Sequence, residues 1–321
     1  MTARQGFDAT RLDDAARAGW LYYVAGNTQD EIARKLGVSR QSAQRLVSLA
    51  VTERLIKVRL DHPIGQCMEL SRAMRDRFGL RLCEIVPSDP AAPDLLTGVA
   101  IAAAAELERL LKSPEPRIVA LGTGRALSAC VAQLPAMTCP QHRIVSRLGN
   151  MMSDGSASPY NAVVRMSERI GARQYPFPLP VLARDPEELR ILQALEPVRA
   201  TFDLCAKADL TVVGIGQMDQ SAPLVVDGFV SRDKMQALMD AGAVGEITSW
   251  PYDAEGRLVP GPFHDRVLSA PLHPAPDTGG MVLGVAVGEP KVPAMLAALR
   301  GRLINGLVTN EATAERVLSL G

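Results

Sequence analysis

No apolar run in this 321-residue sequence is long enough to cross a bilayer. The longest, GVAIAAAA and MVLGVAVG, fall far short of the roughly 20 residues a span requires. The N-terminus, MTARQGFDATRLDDAARAG, has no apolar core and does not read as a signal peptide. Cysteine is sparse: Cys67, Cys83, Cys130, Cys139 and Cys205 are scattered, odd in number and without a C-x-x-C pair. That favours reduced, buried thiols in a reducing compartment over a disulfide framework or zinc site. His62, His142, His264 and His273 show neither H-x-x-x-H nor H-E-x-x-H spacing, so no metal site is expected. There is no G-x-S-x-G nucleophile elbow. No internal repeat is present, and nothing calls for a cofactor. The expectation is a cytoplasmic protein with no membrane partner.

Net charge is absent too, with 35 Lys plus Arg against 35 Asp plus Glu, but it is unevenly spread. Residues 1–60 carry 10 basic and 6 acidic side chains, which leaves 25 against 29 for the remainder. A small basic head on a slightly acidic body is the asymmetry expected if only the head meets a polyanion.

The head holds the stretch TQDEIARKLGVSRQSAQRL, Thr28 to Leu46. A first helix is predicted from Arg11 to about Ala25, with Asp13 and Asp14 in its first turn, where acids suit the helix dipole. Thr28 and Glu31 form a T-x-x-E capping box for a second helix that stops at Gly37. Ser39 caps a third helix, about Arg40 to Glu53. Ile32, Leu36, Val38, Ala43 and Leu46 are expected to face a shared core, the pattern a helix-turn-helix needs. The outward residues of the third helix are then Arg40, Gln41, Ser42, Gln44 and Arg45, side chains able to meet base edges and phosphates in a major groove. LIKVRL, Leu55–Leu60, alternates like a strand and suggests a wing, with Lys57 and Arg59 suited to phosphate contacts. Thr28, Ser39, Arg40, Gln41, Ser42, Gln44, Arg45, Lys57 and Arg59 are therefore the candidate DNA-binding set.

From about Cys67 the pattern changes. Strand-like runs such as RLCEIV, RIVAL, HRIVSRL, DLTVVGIG, MVLGVAVG and INGLVTN alternate with amphipathic helices. That alternation predicts a doubly wound, mostly parallel α/β domain, and the continuous apolar strands fit a sheet buried on both faces. ALGTGRALSAC, Ala120–Cys130, follows one such strand and opens a helix. Gly122 and Gly124 let the backbone approach an anion, the helix N-terminus supplies free N–H groups, Thr123 adds a hydroxyl and Arg125 a charged donor. It is neither a Walker A loop nor a G-x-G-x-x-G, since position 127 is Leu. The loop Met151–Ser156 reads as a lid or a connector at the sheet edge where ligands of open α/β folds bind.

The order and spacing of TQDEIARKLGVSRQSAQRL, GTGR, GAVGEI and KVPAMLAALRGRLINGLVTNEATAERVL resemble the SorC-type sugar-binding transcriptional regulators, within the broader DeoR-like group. The resemblance covers about residues 11–321. It implies an effector domain similar to ribose-phosphate isomerase and glucosamine-phosphate deaminase, an effector that is a phosphorylated sugar or related polyol, and a tetramer built from dimers. By position, it implies that Gly122, Thr123, Gly124 and Arg125 hold a phosphate. It further implies that Glu246 accepts from sugar hydroxyls, that Lys291 reaches the phosphate, and that Arg147 contacts the effector. A carboxylate that only accepts, beside Lys and Arg, suits a sugar phosphate chemically. Three positions depart from the family: Ala126 where Thr is frequent, Glu289 in a glycine-rich stretch, and Asn310 where Asp is usual. The first two weaken a phosphate site and leave room for a free polyol or sugar acid.

The sequence therefore predicts a helix-turn-helix DNA-binding domain over residues 1–62 and a sugar or sugar-phosphate effector domain over 63–321. Operator DNA, a carbohydrate effector and a second copy of the chain are the expected partners. The rival is a sugar-phosphate isomerase or deaminase with an appended DNA-binding head, using Glu246 or Asp227 as general base beside Lys291. A third class, an architectural DNA binder without a ligand, leaves GTGR and Lys291 unexplained.

Overall fold

The computed structural model describes residues 2–53, 55–56, 64–152 and 158–321, with the backbone alone for residues 2–9. The chain separates into two compact units, Met1–Pro63 and Ile64–Gly321.

Among the described residues, the first unit contains three helices, α1 (Thr2–Tyr23), α2 (Gln29–Leu36) and α3 (Arg40–Thr52). Each boundary has a local cause. Thr28 accepts from the Glu31 N–H while the Glu31 carboxylate accepts from the Thr28 N–H at 2.7 Å, a complete capping box. Gly37 ends α2 in the left-handed region at φ 65°, and the N–H groups of Gly37 and Val38 both donate to the Ala33 carbonyl. The Ser39 hydroxyl accepts from the Ser42 N–H and caps α3. Ala15, Ala18, Ile32, Ala33, Ala43, Val47 and Ala50 are buried where the helices meet. Gly19 belongs to this crossing: a Cβ built on it would lie 2.8 Å from Ala50 Cβ, so α1 and α3 approach as closely as a bare Cα allows.

Two expectations for this unit change. Helix α1 begins at Thr2, so Asp13 and Asp14 stand mid-helix rather than in a first turn. Val38 is 36% exposed instead of facing the core, because its N–H closes the turn and its side chain is left at the rim. Lys57 and Arg59, and with them the proposed wing, lie outside the described residues, as does most of the Met151–Ser156 loop.

The second unit opens with α4 (Gly65–Phe78) and β1 (Leu82–Val86), then α5 (Leu96–Leu111), β2 (Ile118–Leu121), α6 (Arg125–Gln133), β3 (Arg143–Ser146), α7 (Ala162–Ile170) and β4 (Arg173–Tyr175). Helices α8 (Pro186–Gln193) and α9 (Glu196–Ala206) lead to β5 (Leu210–Gly214), β6 (Gly216–Gln217), α10 (Pro223–Val226), α11 (Arg232–Asp240), β7 (Gly245–Ile247) and β8 (Trp250–Tyr252). The chain ends with β9 (Met281–Val285), α12 (Val292–Arg300), β10 (Gly306–Asn310) and α13 (Glu311–Leu320).

Among the described residues, seven strands form one parallel sheet in the order β1-β10-β9-β5-β2-β3-β4. Successive side chains leave it on opposite faces. Val213 and Leu307 pack with Met74, Met295 and Leu299, whereas their neighbours Val212 and Val308 pack with Leu107, Leu127 and Met166. The sheet is thus apolar on both sides, as its continuous hydrophobic strands require. The buried His142 is held at both ring nitrogens: Nδ1 accepts from the Arg117 N–H, which leaves Nε2 to donate to the Leu111 carbonyl at 3.0 Å.

Strand order positions the site. From β2 the chain moves outward through β3 to β4. From β5 it moves the other way through β9 to β10. Strands β2 and β5 are neighbours, so their carboxyl ends flank the switch point, where open α/β sheets leave a crevice. A small antiparallel sheet, β6-β7-β8, follows β5 and pairs Gly216 with Glu246.

Candidate functional site

The carboxyl ends of β2 and β5 open into a cavity of ≈ 260 Å³ whose wall includes Thr123, Gly124, Arg125, Tyr160, Gly216, Asp227, Glu246, Thr248 and Lys291. The floor is set by two glycines with different reasons to be glycine. A Cβ on Gly122 would press to 3.2 Å from Thr248 Cγ2, and Gly124 starts α6 at φ 110° with open space around it. Among the described residues no side chain caps α6, so its first N–H groups are presented to the crevice. Thr123 turns away from that role: its hydroxyl donates to the Tyr160 carbonyl at 3.0 Å.

Arg125 is already engaged. Its Nη2 donates to Asp227 Oδ1 at 2.5 Å and its Nε to the Tyr160 hydroxyl at 3.2 Å, while that hydroxyl donates to Asp227 Oδ2 at 2.9 Å. The three side chains close a ring, and the hydrogen bond to Asp227 holds the guanidinium above its ordinary pKa.

On the opposite wall, Glu246 lies directly over Gly216, where a Cβ would sit 2.2 Å from its Oε1. Burial pushes the Glu246 carboxyl up, against the Ser249 N–H, which donates to Oε2 at 2.9 Å, and the charge of Lys291. Lys291, at the start of α12, donates to the Ile215 carbonyl at 2.8 Å; burial holds its ammonium below the usual range. The β7–β8 turn is strained. Thr248 and Ser249 stand at φ 50° and 70°, a region a β-branched residue rarely adopts, and both line the cavity. Thr248 is buried and its hydroxyl has no hydrogen-bond partner among the described residues.

Six of the residues singled out from sequence for this site are thus brought to one crevice: Gly122 beneath it, and Thr123, Gly124, Arg125, Glu246 and Lys291 around it. Arg147 is not among them. It follows β3 with its N–H paired to the Leu121 carbonyl, and its side chain runs into the body, 7% exposed, where Nη2 donates to the carbonyls of Ala270 and Pro271. Burial holds its guanidinium below the ordinary value. Of the departures, Ala126 lines the cavity, Glu289 points away to Arg316 at 3.4 Å, and Asn310 caps α13. Asp227 was named from sequence only as a general base in the enzyme reading, and Tyr160 was not assigned to a site. Their partner Arg125 is 102 and 35 positions away, and no local spacing announces such a ring.

On the head, Arg40, Gln41, Gln44 and Arg45 are exposed along α3, and Ser48 extends the same face at i+7 from Gln41. Arg40 lies 3.5 Å from Asp30 on α2. Thr28 and Ser39 are committed to their caps, and the Ser39 and Ser42 hydroxyls stand 2.9 Å apart. Among the described residues no group of His, Cys, Asp and Glu could hold a metal, and no helix is long and apolar enough to cross a membrane.

Comparison with known proteins places this geometry in a family. The family model for a sugar-binding domain, Sugar-bind, matches residues 62–319. The chain is 31% identical over 304 residues to the erythritol catabolism regulatory protein EryD of Brucella abortus, covering 95% of this chain and 96% of that one. It is 32% identical over 310 residues to the transcriptional regulator LsrR of Klebsiella pneumoniae, covering 95% and 92%. In fold it is similar to the full-length sorbitol operon regulator SorC of Klebsiella pneumoniae, with a TM-score of 0.68 at 24% identity over 96% of this chain and 99% of that one. A DeoR family transcriptional regulator of Listeria monocytogenes aligns at a TM-score of 0.70 and 18% identity, over 79% and 100%. The chain belongs to the sugar-binding transcriptional regulators.

Proposed function

We propose that the protein is a one-component transcriptional regulator acting in the cytoplasm. Residues 1–62 bind operator DNA, and a carbohydrate held by residues 63–321 sets the strength of that binding. The observation that carries the reading is the switch-point crevice, where a bare helix N-terminus, two cations and three carboxylates converge, in a chain that also bears a capped helix-turn-helix. Arg40, Gln41, Gln44 and Arg45 read or grip the major groove; Thr28, Ser39 and Ser42 fix the helices that present them. In the body, Glu246 accepts from ligand hydroxyls, Lys291 and Arg125 donate, and Gly122 and Gly124 admit the ligand to the N-terminus of α6. The relative EryD is named for erythritol catabolism, which supports a sugar or polyol as effector. Its being named a regulator supports control over catalysis.

The working unit is a homo-oligomer whose paired heads meet a pseudo-palindromic site with half-sites one or more helical turns apart. Ligand and DNA are linked by a coupling free energy of about 1–3 kcal/mol per site. The test is operator binding by the full chain with and without ligand, in the wild type and in Lys291→Ala. The variant is expected to keep its basal affinity for DNA and to lose the ligand effect. An unchanged ligand effect removes Lys291 from the site. Turnover of a pentose or hexose phosphate by the wild type replaces the regulator reading with the enzyme one.

A further inference from the structure

Among the described residues, the cavity is lined by five acidic or basic side chains besides the Tyr160 phenol: Arg125 and Lys291 carry positive charge, and Asp94, Asp227 and Glu246 are acids. With Glu246 ionised the set carries one net negative charge; with Glu246 protonated it is neutral. In neither state is it positive. The cation nearest the N-terminus of α6, where a phosphate would sit, is the one tied to Asp227, whose two oxygens are taken by Arg125 and the Tyr160 hydroxyl. A phosphate monoester brings about −1.5 to −2 charges at neutral pH. To reach Arg125 it must break this ring and leave the Asp227 carboxylate facing it.

We propose that the cavity takes an uncharged carbohydrate, a polyol or sugar with vicinal hydroxyls, and that the Asp227 carboxylate excludes the phosphate ester of the same compound. The proposal rests on the regulator reading above and narrows its ligand. The acceptors and donors of the wall then have a use. Glu246, Asp227 and Asp94 accept from hydroxyls, and Lys291 and the first N–H groups of α6 donate to hydroxyl oxygens. The Thr248 hydroxyl, buried without a partner, gains one. The methyl of Ala126 and the side chain of Leu224 meet the carbon skeleton.

The experiment is isothermal titration of the full-length protein with erythritol, xylitol and sorbitol, and with their terminal phosphate esters. At least one free polyol is expected to bind at least tenfold more tightly than its own ester. In Asp227→Asn the ester is expected to gain at least tenfold as Arg125 loses its counter-charge. Wild-type protein that prefers an ester overturns this inference and leaves the carbohydrate-responsive regulator intact. Binding of neither class removes the regulator reading, and this inference with it. An Asp227→Asn protein that binds operator DNA normally but shows no gain for the ester also overturns the exclusion. If that variant does not fold, Asp94→Asn, at an exposed position lining the same cavity, carries the charge test and is expected to shift the preference the same way.

Discussion

The two units hold their charges differently. On α3 the polar side chains Arg40, Gln41, Gln44 and Arg45 stand in solvent, and the pair Arg40–Asp30 is long at 3.5 Å and exposed on both sides. Such a pair contributes little and gives way easily to a stronger anion. In the body, Arg125 is locked in a ring with Asp227 and Tyr160, Lys291 is held to a carbonyl, and Arg147 is sunk against two carbonyls. An exposed, weakly held cation suits a polyanion that arrives with many charges of its own. A cation already answered by a carboxylate suits a ligand that brings none.

The comparison is broken most severely by Gly19→Val. Three new carbons would press into Ala50 and Ile56, where even a Cβ lies at 2.8 and 3.2 Å. We expect loss of at least about 3 kcal/mol and of folded head, with operator binding abolished and the ligand-induced melting shift of the body intact. Differential scanning calorimetry that shows both transitions lost would refute the independence of the units. Next in size, Arg45→Ala should weaken operator binding by about 1–3 kcal/mol in a fluorescence-anisotropy titration, again without touching the ligand response.

A subtler contrast lies in pH. Burial raises the Glu246 carboxyl above 4.5, so the folded protein holds this proton longer than the unfolded chain. Its contribution is fully present below the unfolded value and is lost as pH rises through the folded one. Glu246→Gln lacks this titration. Its stability relative to wild type should therefore grow as pH is raised from about 4.5, which melting curves across pH can measure; a flat difference would sink the assignment of a buried, raised carboxyl. The smallest effect is expected for Arg147→Met. Replacing a buried charge by an apolar chain of similar length is often neutral or stabilising, and the residue lies outside the crevice. Ligand binding should be unchanged, and a lost response in titration calorimetry would bring Arg147 back to the site.

The same contrast governs what could be read from the amino acids alone. The head is written in short-range signals, T-x-x-E, Gly37, Ser39, and the boundaries of α2 and α3 follow them. Besides the outward Val38, its long-range features escaped: the length of α1, and Gly19, which looks like an unfavourable helix residue until Ala50 is placed against it. In the body, the strands β5, β9 and β10 and their following helices were legible from apolar runs. Their order, which creates the switch point, was not. Helices α4, α8 and α9 also went unread, although Asp185 with Pro186 is a helix-start signal that the structure uses. The GTGR loop was visible because backbone chemistry needs adjacent residues. The pairing of Asp227 and Tyr160 with Arg125 was invisible because side-chain charge pairing needs only proximity in space. Arg147 was placed at the effector by family position alone, whereas its backbone still pairs with β2 and its side chain runs into the body.

All five cysteines lie in the body, between positions 67 and 205, and all are buried, with the thiols of Cys67, Cys83 and Cys130 pushed up to about 12 and Cys205 to about 11. Such thiols are neither nucleophilic nor readily oxidised while the sheet is closed. They form a built-in clock. An aromatic disulfide reagent added to the native protein reacts only as fast as the body opens, and the head, having no thiol, stays silent. The rate of colour release therefore times the opening of one unit in the presence of the other, with no label introduced, and a carbohydrate that seats in the crevice should slow it.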